Sequence, residues 1–274
     1  MRRITAHLPW LLLAYAQLNV VPLPTLFTSE PGCLLLPPSF SLRPEGPGGG
    51  DALLAAALLR TQRTLASLAA RGESVAPCSP SASLAEVVVR VGAARVRNEP
   101  SLGDNEAYNL TLAASGGSLN ASTVWGALRG LETLTQLVSA DRPSDAPGGA
   151  LLVLPAASVR VEDAPRFPHR GLMIDTGRAF LPLPVILAAL DAMSYVKMNA
   201  LHWHLVDDQA FPVVSNAWPN LTAGAMQAPS LSHTYSKADV AAVVEAATAR
   251  GIRVIPEFDV PGHTASWFKG CVPR

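Results

Sequence analysis

The sequence predicts an α/β protein: a small α+β domain first, then strand–helix alternation of the kind that builds a parallel sheet. Three observations predict it. Beyond Pro165, short apolar runs alternate with helix-length segments, and strands separated by helices pair in parallel. Each of three such runs ends in a polar outcrop, at Asp175-Thr176-Gly177-Arg178, at Asp207-Asp208 and at Asp259-Val260-Pro261-Gly262-His263. Before Pro165, Trp125, Leu128, Leu131, Leu134 and Leu137 recur every third residue, a helical stripe set among strand-like segments.

A length of 274 residues suits two domains. With 21 basic and 21 acidic residues, the charge balance points to neither nucleic acid nor an acidic partner. Past the first residues no apolar run is long enough to span a bilayer. At the N-terminus, Arg2 and Arg3 precede Leu8-Pro9-Trp10-Leu11-Leu12-Leu13, and Ala14-Tyr15-Ala16 is an A-x-A cleavage pattern. Residues 1–16 are therefore expected to be a secretory signal peptide. Of the three cysteines, Cys33 and Cys78 flank a helix and could pair in an oxidising compartment, leaving Cys271 alone. Sequons at Asn109, Asn120 and Asn220 agree with secretion and mark expected glycosylation sites.

Residues 17–50, rich in Pro and Gly, read as an extended lead-in and a loop. Asp51 caps a helix through Leu53, Leu54, Ala57, Leu58, Leu65 and Leu68, ending near Gly72. Val87–Val91 is a strand, and Tyr108–Leu112 alternates as a half-buried strand does, turning Asn109 away from Tyr108 and Leu110. The Trp125–Leu137 stripe lays a helix on these strands. Strands at Leu151–Leu154 and Val159–Val161 close a domain over residues 17–163, in which no catalytic constellation is visible.

The second domain, 164–274, opens at Pro165-Arg166-Phe167-Pro168. Gly171–Ile174 is a strand. Leu183–Tyr195 is a helix with Val185, Ile186, Leu190 and Met193 on one side, and Ala200–Val206 is the next strand. A long loop, Gln209–Tyr235, follows; loops of that length are often functional. Ser236 and Asp239 form a capping box for a helix through Val240, Val243, Val244 and Ala247 that stops at Gly251, and Ile252–Phe258 is the third strand. In an α/β barrel the chemistry sits at the carboxyl ends of the strands, where Arg178, Asp207, Asp208 and His263 fall.

Arg178 offers a planar fork for a carboxylate or a pair of sugar hydroxyls; its alternative use is an ion pair with Asp175. His202 and His204 are two apart on a strand and face one way. They can ligate zinc, which would make a metal-dependent barrel hydrolase, or they can be hydrogen-bonded interior histidines. Asp207 and Asp208 point in different directions, so one meets substrate or a histidine while the other braces the loop. An aspartate beside His263 would fix its tautomer, making Asp207 and His263 a proton-handling couple.

The stretch Phe167–Arg178, the motif His202-Trp203-His204-Leu205-Val206-Asp207-Asp208 and the run Glu257–Thr264 together resemble the family 20 glycoside hydrolases, the β-N-acetylhexosaminidases of lysosomal and secreted type. The helix Trp125–Val138 resembles that of the family's zincin-like N-terminal domain, which carries no metal. The resemblance implies a (β/α)8 barrel of which this chain holds the first three strands. It implies removal of terminal N-acetylglucosamine or N-acetylgalactosamine with retention, the substrate's own acetamido oxygen attacking the anomeric carbon. It implies that Arg178 holds sugar hydroxyls, that Asp207 and His263 relay charge to a general acid, and that Cys33 pairs with Cys78. No cofactor is implied; dimerisation and a secretory, lysosomal or extracellular location are. The family's adjacent Asp-Glu catalytic pair does not occur in these 274 residues. The chain is therefore expected to be an N-terminal part of the enzyme, inactive alone, the alternative being a non-catalytic sugar-binding or regulatory remnant.

Overall fold

The computed structural model describes residues 20–71, 80–141, 150–225 and 233–271. The expected signal peptide and Cys78 lie outside them. The chain divides into two units, one comprising Asn105–Pro165 with the chain up to Arg95, the other Val96–Asp104 and the chain from Arg166 on.

In the first unit, the region read as lead-in and loop contains three strands, β1 (Leu26–Glu30), β2 (Leu34–Leu36) and β3 (Ser41–Glu45). They are short and irregular in sequence, so local pattern could not reveal them; each exists because a distant strand supplies its partner. Strands β1 and β3 join β5 (Glu86–Val91), β6 (Tyr108–Ala113), β7 (Gly116–Ala121) and β10 (Ser158–Asp163) in a mixed six-stranded sheet ordered β1-β10-β6-β7-β5-β3. Pro44, which cannot donate to a ladder, sits in the edge strand β3. A second sheet orders β4 (Ala82–Ser83), β2, β9 (Leu151–Leu154) and β8 (Ser139–Asp141) in the sequence β4-β2-β9-β8.

Helix α1 (Ala52–Arg71) is capped by the Asp51 carboxylate, which accepts the Leu53 N–H at 2.8 Å. Helix α2 (Val124–Leu137) carries the Trp125 stripe, but it is buried almost all round rather than along one face, because α1 packs on it as well as β5–β7. Gly126 and Gly130 permit that approach. A Cβ on Gly126 would lie 2.3 Å from the Ala107 carbonyl oxygen, and one on Gly130 2.2 Å from Leu119. The price of a helix buried on all sides is a buried charge, Arg129, which the Glu106 carboxylate neutralises at 2.6 Å. Asn109 is exposed on the outward face of β6 and stands opposite Asn120 on β7.

The second unit is a parallel sheet, β11 (Gly171–Asp175), β12 (Ala200–His204) and β13 (Arg253–Glu257), in the order β11-β12-β13. Helices α3 (Leu183–Tyr195) and α5 (Lys237–Thr248) follow β11 and precede β13. Ile186, Leu190 and Met193 of α3 and Val243 and Ala247 of α5 are buried in one core with Leu201 and Trp203; Val185, expected on the buried side of α3, is about half exposed. The Ser236 hydroxyl accepts the Asp239 N–H at 3.1 Å while Asp239 accepts the Ser236 N–H at 2.8 Å, the reciprocal box that starts α5. Gly251, with φ +67°, ends it: its N–H reaches the Thr248 carbonyl, and the Ile252 N–H reaches that of Ala247. The long loop after β12 is less irregular than its sequence suggests. It contains helix α4 (Pro219–Ala225) and a bridge between Val213 and Tyr235. A last helix, α6 (Ala265–Cys271), had no counterpart in the sequence reading; the side chain of Cys271 lies outside the description. Among the described residues no helix is long and apolar enough to cross a membrane.

Candidate active site

The two-residue period of a strand separates His202 and His204 from the tryptophan between them. Trp203 faces the helices, fully buried, with its indole N–H donated to the Thr176 hydroxyl at 3.0 Å and its ring edge-on to Tyr235. The two histidines face the opposite side. There the parallel register sets Asp175, His204 and Glu257 side by side across the last residues of β11, β12 and β13.

Glu257 was not singled out from the sequence, yet its Oε2 takes both histidines, His202 Nε2 at 2.7 Å and His204 Nδ1 at 2.7 Å. The other His204 nitrogen, Nε2, lies 2.7 Å from Asp207 Oδ2. An i, i+2 histidine pair facing a strand that ends in Glu was the signal available; only the register says that the three groups meet.

Asp207 is 1% exposed and collects donors from four directions. Besides His204 it accepts the Asp208 N–H at 2.6 Å, the Arg178 guanidinium at 2.8 Å and His263 Nδ1 at 3.2 Å. Burial alone would push its carboxyl up; the bonds from His204, the Asp208 amide, His263 and the charge of Arg178 together hold it below the usual carboxylate range. Glu257 is likewise lowered, chiefly by His204. For His204, burial pushes the imidazole down, and Asp207 and Glu257 more than reverse it, so the net shift is upward.

Arg178 makes the ion pair with Asp175 that was its alternative use, and a second one with Asp207. One branch lies 2.7 Å from Asp175 Oδ2 and the other reaches Asp207, while about half of the side chain stays open to solvent. Asp175 first shapes the turn, its Oδ1 accepting the Gly177 and Arg178 N–H groups at 3.1 and 3.0 Å. Gly177 is there because the turn runs against Asp207: a Cβ would lie 2.5 Å from the Asp207 nitrogen. Asp208 points away and accepts the Ala265 N–H at the start of α6. His263 is exposed and left-handed, φ +58°, a conformation that costs a non-glycine residue about 1 kcal/mol or more and clusters at functional sites. Its ring stands edge-on to His204 at 5.7 Å.

The donor atoms of His204, Asp207 and His263, and those of His204, Glu257 and Asp259, lie within 4.8 Å of one another. Each His204 nitrogen is already engaged by a carboxylate, and a dication at Asp207 would have to displace the Arg178 guanidinium. The cluster reads as an ion-pair network rather than a ligand set. Of the residues predicted from sequence, Arg178, Asp207 and His263 come together, Asp208 lies behind them, and Asn220 is exposed on α4.

The charged network lies at the carboxyl ends of parallel strands, the end at which α/β folds hold their functional sites. The model of the glycosyl hydrolase family 20 catalytic domain matches residues 167–273, and one described as beta-acetyl hexosaminidase like matches residues 20–137. The beta-hexosaminidase subunit beta of Mus musculus is 51% identical over 171 residues, which are 62% of this chain and 30% of the relative. The subunit alpha of Bos taurus is 50% identical over 171 residues, 62% of this chain and 31% of the relative. Among solved structures, the chitobiase of Flavobacterium johnsoniae superposes with a TM-score of 0.77 at 30% identity, over 93% of this chain and 37% of that one. The two matched stretches together cover most of the chain, and both are similar to parts of family 20 glycosyl hydrolases. The chain spans about 30% of the length of the curated relatives it matches.

Proposed function

We propose that this chain supplies the N-terminal part of a β-N-acetylhexosaminidase that removes terminal N-acetylglucosamine or N-acetylgalactosamine from glycans. The observation that carries the reading is the convergence of Arg178, His263 and buried Asp207 at the carboxyl ends of β11–β13. In this reading β11–β13 are the first three strands of a (β/α)8 barrel, and the first unit is the zincin-like domain of the family. The exposure of Met173 and Ile255 on the histidine face of the sheet, and of Phe258 just beyond it, supports a sheet that continues.

The chemistry follows from charge. With two branches fixed by Asp175 and Asp207, the open edge of Arg178 presents further N–H donors to hydroxyls of the terminal sugar. Asp207 accepts Nδ1–H of His263 and so fixes the tautomer whose Nε2 faces a general acid elsewhere in the protein. The acetamido oxygen of the substrate then attacks the anomeric carbon while that acid protonates the leaving oxygen, giving retention. Asn109, Asn120 and Asn220 would carry glycans, and Cys33, which is disulfide-bonded, would pair with Cys78. The likeness to mammalian hexosaminidases favours the secretory pathway or lysosome, and dimerisation accompanies the reading.

The test is hydrolysis of a chromogenic N-acetyl-β-glucosaminide by the full-length protein and its Arg178→Lys variant. The flexible ammonium cannot reproduce the fork, so KM should rise about tenfold or more. Unchanged kinetics would remove Arg178 from the sugar site, and absence of turnover in the unmutated protein would overturn the reading.

A further inference from the structure

We infer that His204 is a standing imidazolium, a buried positive charge clamped between two carboxylates that locks Asp207 as an anion and makes His204 a positioning residue for His263.

The argument is one of donors and acceptors. Asp207 already accepts from Arg178, from the Asp208 amide and from His263, so it is ionised and has only acceptor capacity. The His204 Nε2 that faces it at 2.7 Å must therefore carry a proton. At the opposite ring nitrogen, Nδ1 faces Glu257 Oε2 at 2.7 Å. One proton lies between them, and imidazole is a stronger base than a carboxylate by about two pKa units. That oxygen also meets His202 Nε2, a second nitrogen that can donate to it. Both nitrogens of His204 are then N–H donors, which defines the cation.

The groups facing the ring agree. From β11 comes Asp175, from β13 Glu257, and from the following loops Asp207, Asp259 and, edge-on, His263; His202 neighbours it on its own strand. Among the described residues, the permanent cation paired with these carboxylates is Arg178, which bridges Asp175 and Asp207. Four acidic groups around one arginine leave room for a second positive charge. The ring is 5% exposed, so water does not screen it. The direction of its titration, upward, agrees with this.

The consequence for chemistry is that Asp207 cannot act as a proton acceptor in turnover. Held by two cations, it orients His263 and stabilises charge on that ring, and proton movement is confined to the outer side of His263. This role rests on the glycosidase reading; the protonation of His204 does not.

The experiment is a long-range 1H–15N correlation spectrum of the full-length 15N-labelled protein recorded between pH 5 and 9, with His204 assigned by loss of its signals in His204→Gln. Two protonated ring nitrogens at pH 7.5 are expected, well above the ordinary histidine value of about 6.5. One pyridine-type nitrogen at that pH would overturn the inference. Glu257→Gln preserves shape, gives a second route to assignment, and should lower the proton affinity of His204 tenfold or more; an unmoved titration would overturn it too. In turnover, Glu257→Gln should shift the alkaline limb of kcat to lower pH with KM little changed, because His204 does not touch the sugar. A rise in KM with kcat and its pH profile unmoved would overturn the positioning role. Absence of turnover in the unmutated protein, with the imidazolium signature present, would instead fault the glycosidase reading.

Discussion

Replacing Asp207 by Asn tests the network at its most connected point. The side chain keeps its size but loses its charge, and half of its tip becomes an N–H2 donor pressed on the donors of His204, Arg178 and His263. Breaking a buried ion pair by removing one partner costs about 3–5 kcal/mol. Arg178 keeps Asp175 and is about half exposed, so its share resembles a surface pair of about 0–1 kcal/mol. The buried His204 carries most of the loss, and a total near the lower bound, about 3 kcal/mol, is expected. In a unit of roughly a hundred residues that lowers Tm by about 12 °C or more. The pH dependence has a definite sign. The Asp207 carboxyl is lowered in the folded chain, so its contribution is present above the unfolded value of about 3.9 and is lost as pH falls through the folded value. The gap between the original protein and Asp207→Asn should therefore be widest near pH 6 and shrink towards pH 3. Urea unfolding followed by tryptophan fluorescence at several pH values measures it. A variant within about 0.5 kcal/mol of the original at pH 6, or a gap that does not narrow in acid, would refute the reasoning.

Gly177→Ala should destabilise by about 1–3 kcal/mol and displace Asp207, since its Cβ would meet backbone rather than a movable side chain; an unchanged urea midpoint would count against that contact. His204, whose value is raised, contributes stability in full below about pH 6.5 that is lost as pH rises through its folded value, so His204→Gln should cost more at pH 5.5 than at pH 9. Equal costs would sink the imidazolium. Residues 1–274 expressed alone should not hydrolyse a chromogenic N-acetylglucosaminide, because they hold no adjacent Asp-Glu pair; turnover above an empty-vector control would disprove this.

What the sequence determined by itself is local. The Ser236–Asp239 box, the Gly251 stop, the Asp51 cap and the alternation in Tyr108–Leu112 are written in neighbouring residues, because caps and pleats are closed within a few positions. The motif around His202–Asp208 was legible too, as was the end of the sheet at which its polar groups gather, since strand polarity follows from strand–helix alternation. Tertiary structure decided what depends on partners far along the chain. Strands β1–β3 exist through pairing with β10, β9 and β5, so their Pro- and Gly-rich sequence gave no period to read. Helix α2 is buried on nearly every side because α1 covers what a stripe argument leaves to solvent. Arg178 pairs with Asp207 as well as with Asp175, because the tight turn at Gly177 brings both carboxylates within reach of its two branches. Glu257 joined the site only through parallel register, which sets it beside a histidine 53 residues earlier in the chain. A strand's side-chain direction is fixed by its own sequence; the groups it faces are fixed by the strands that pair with it.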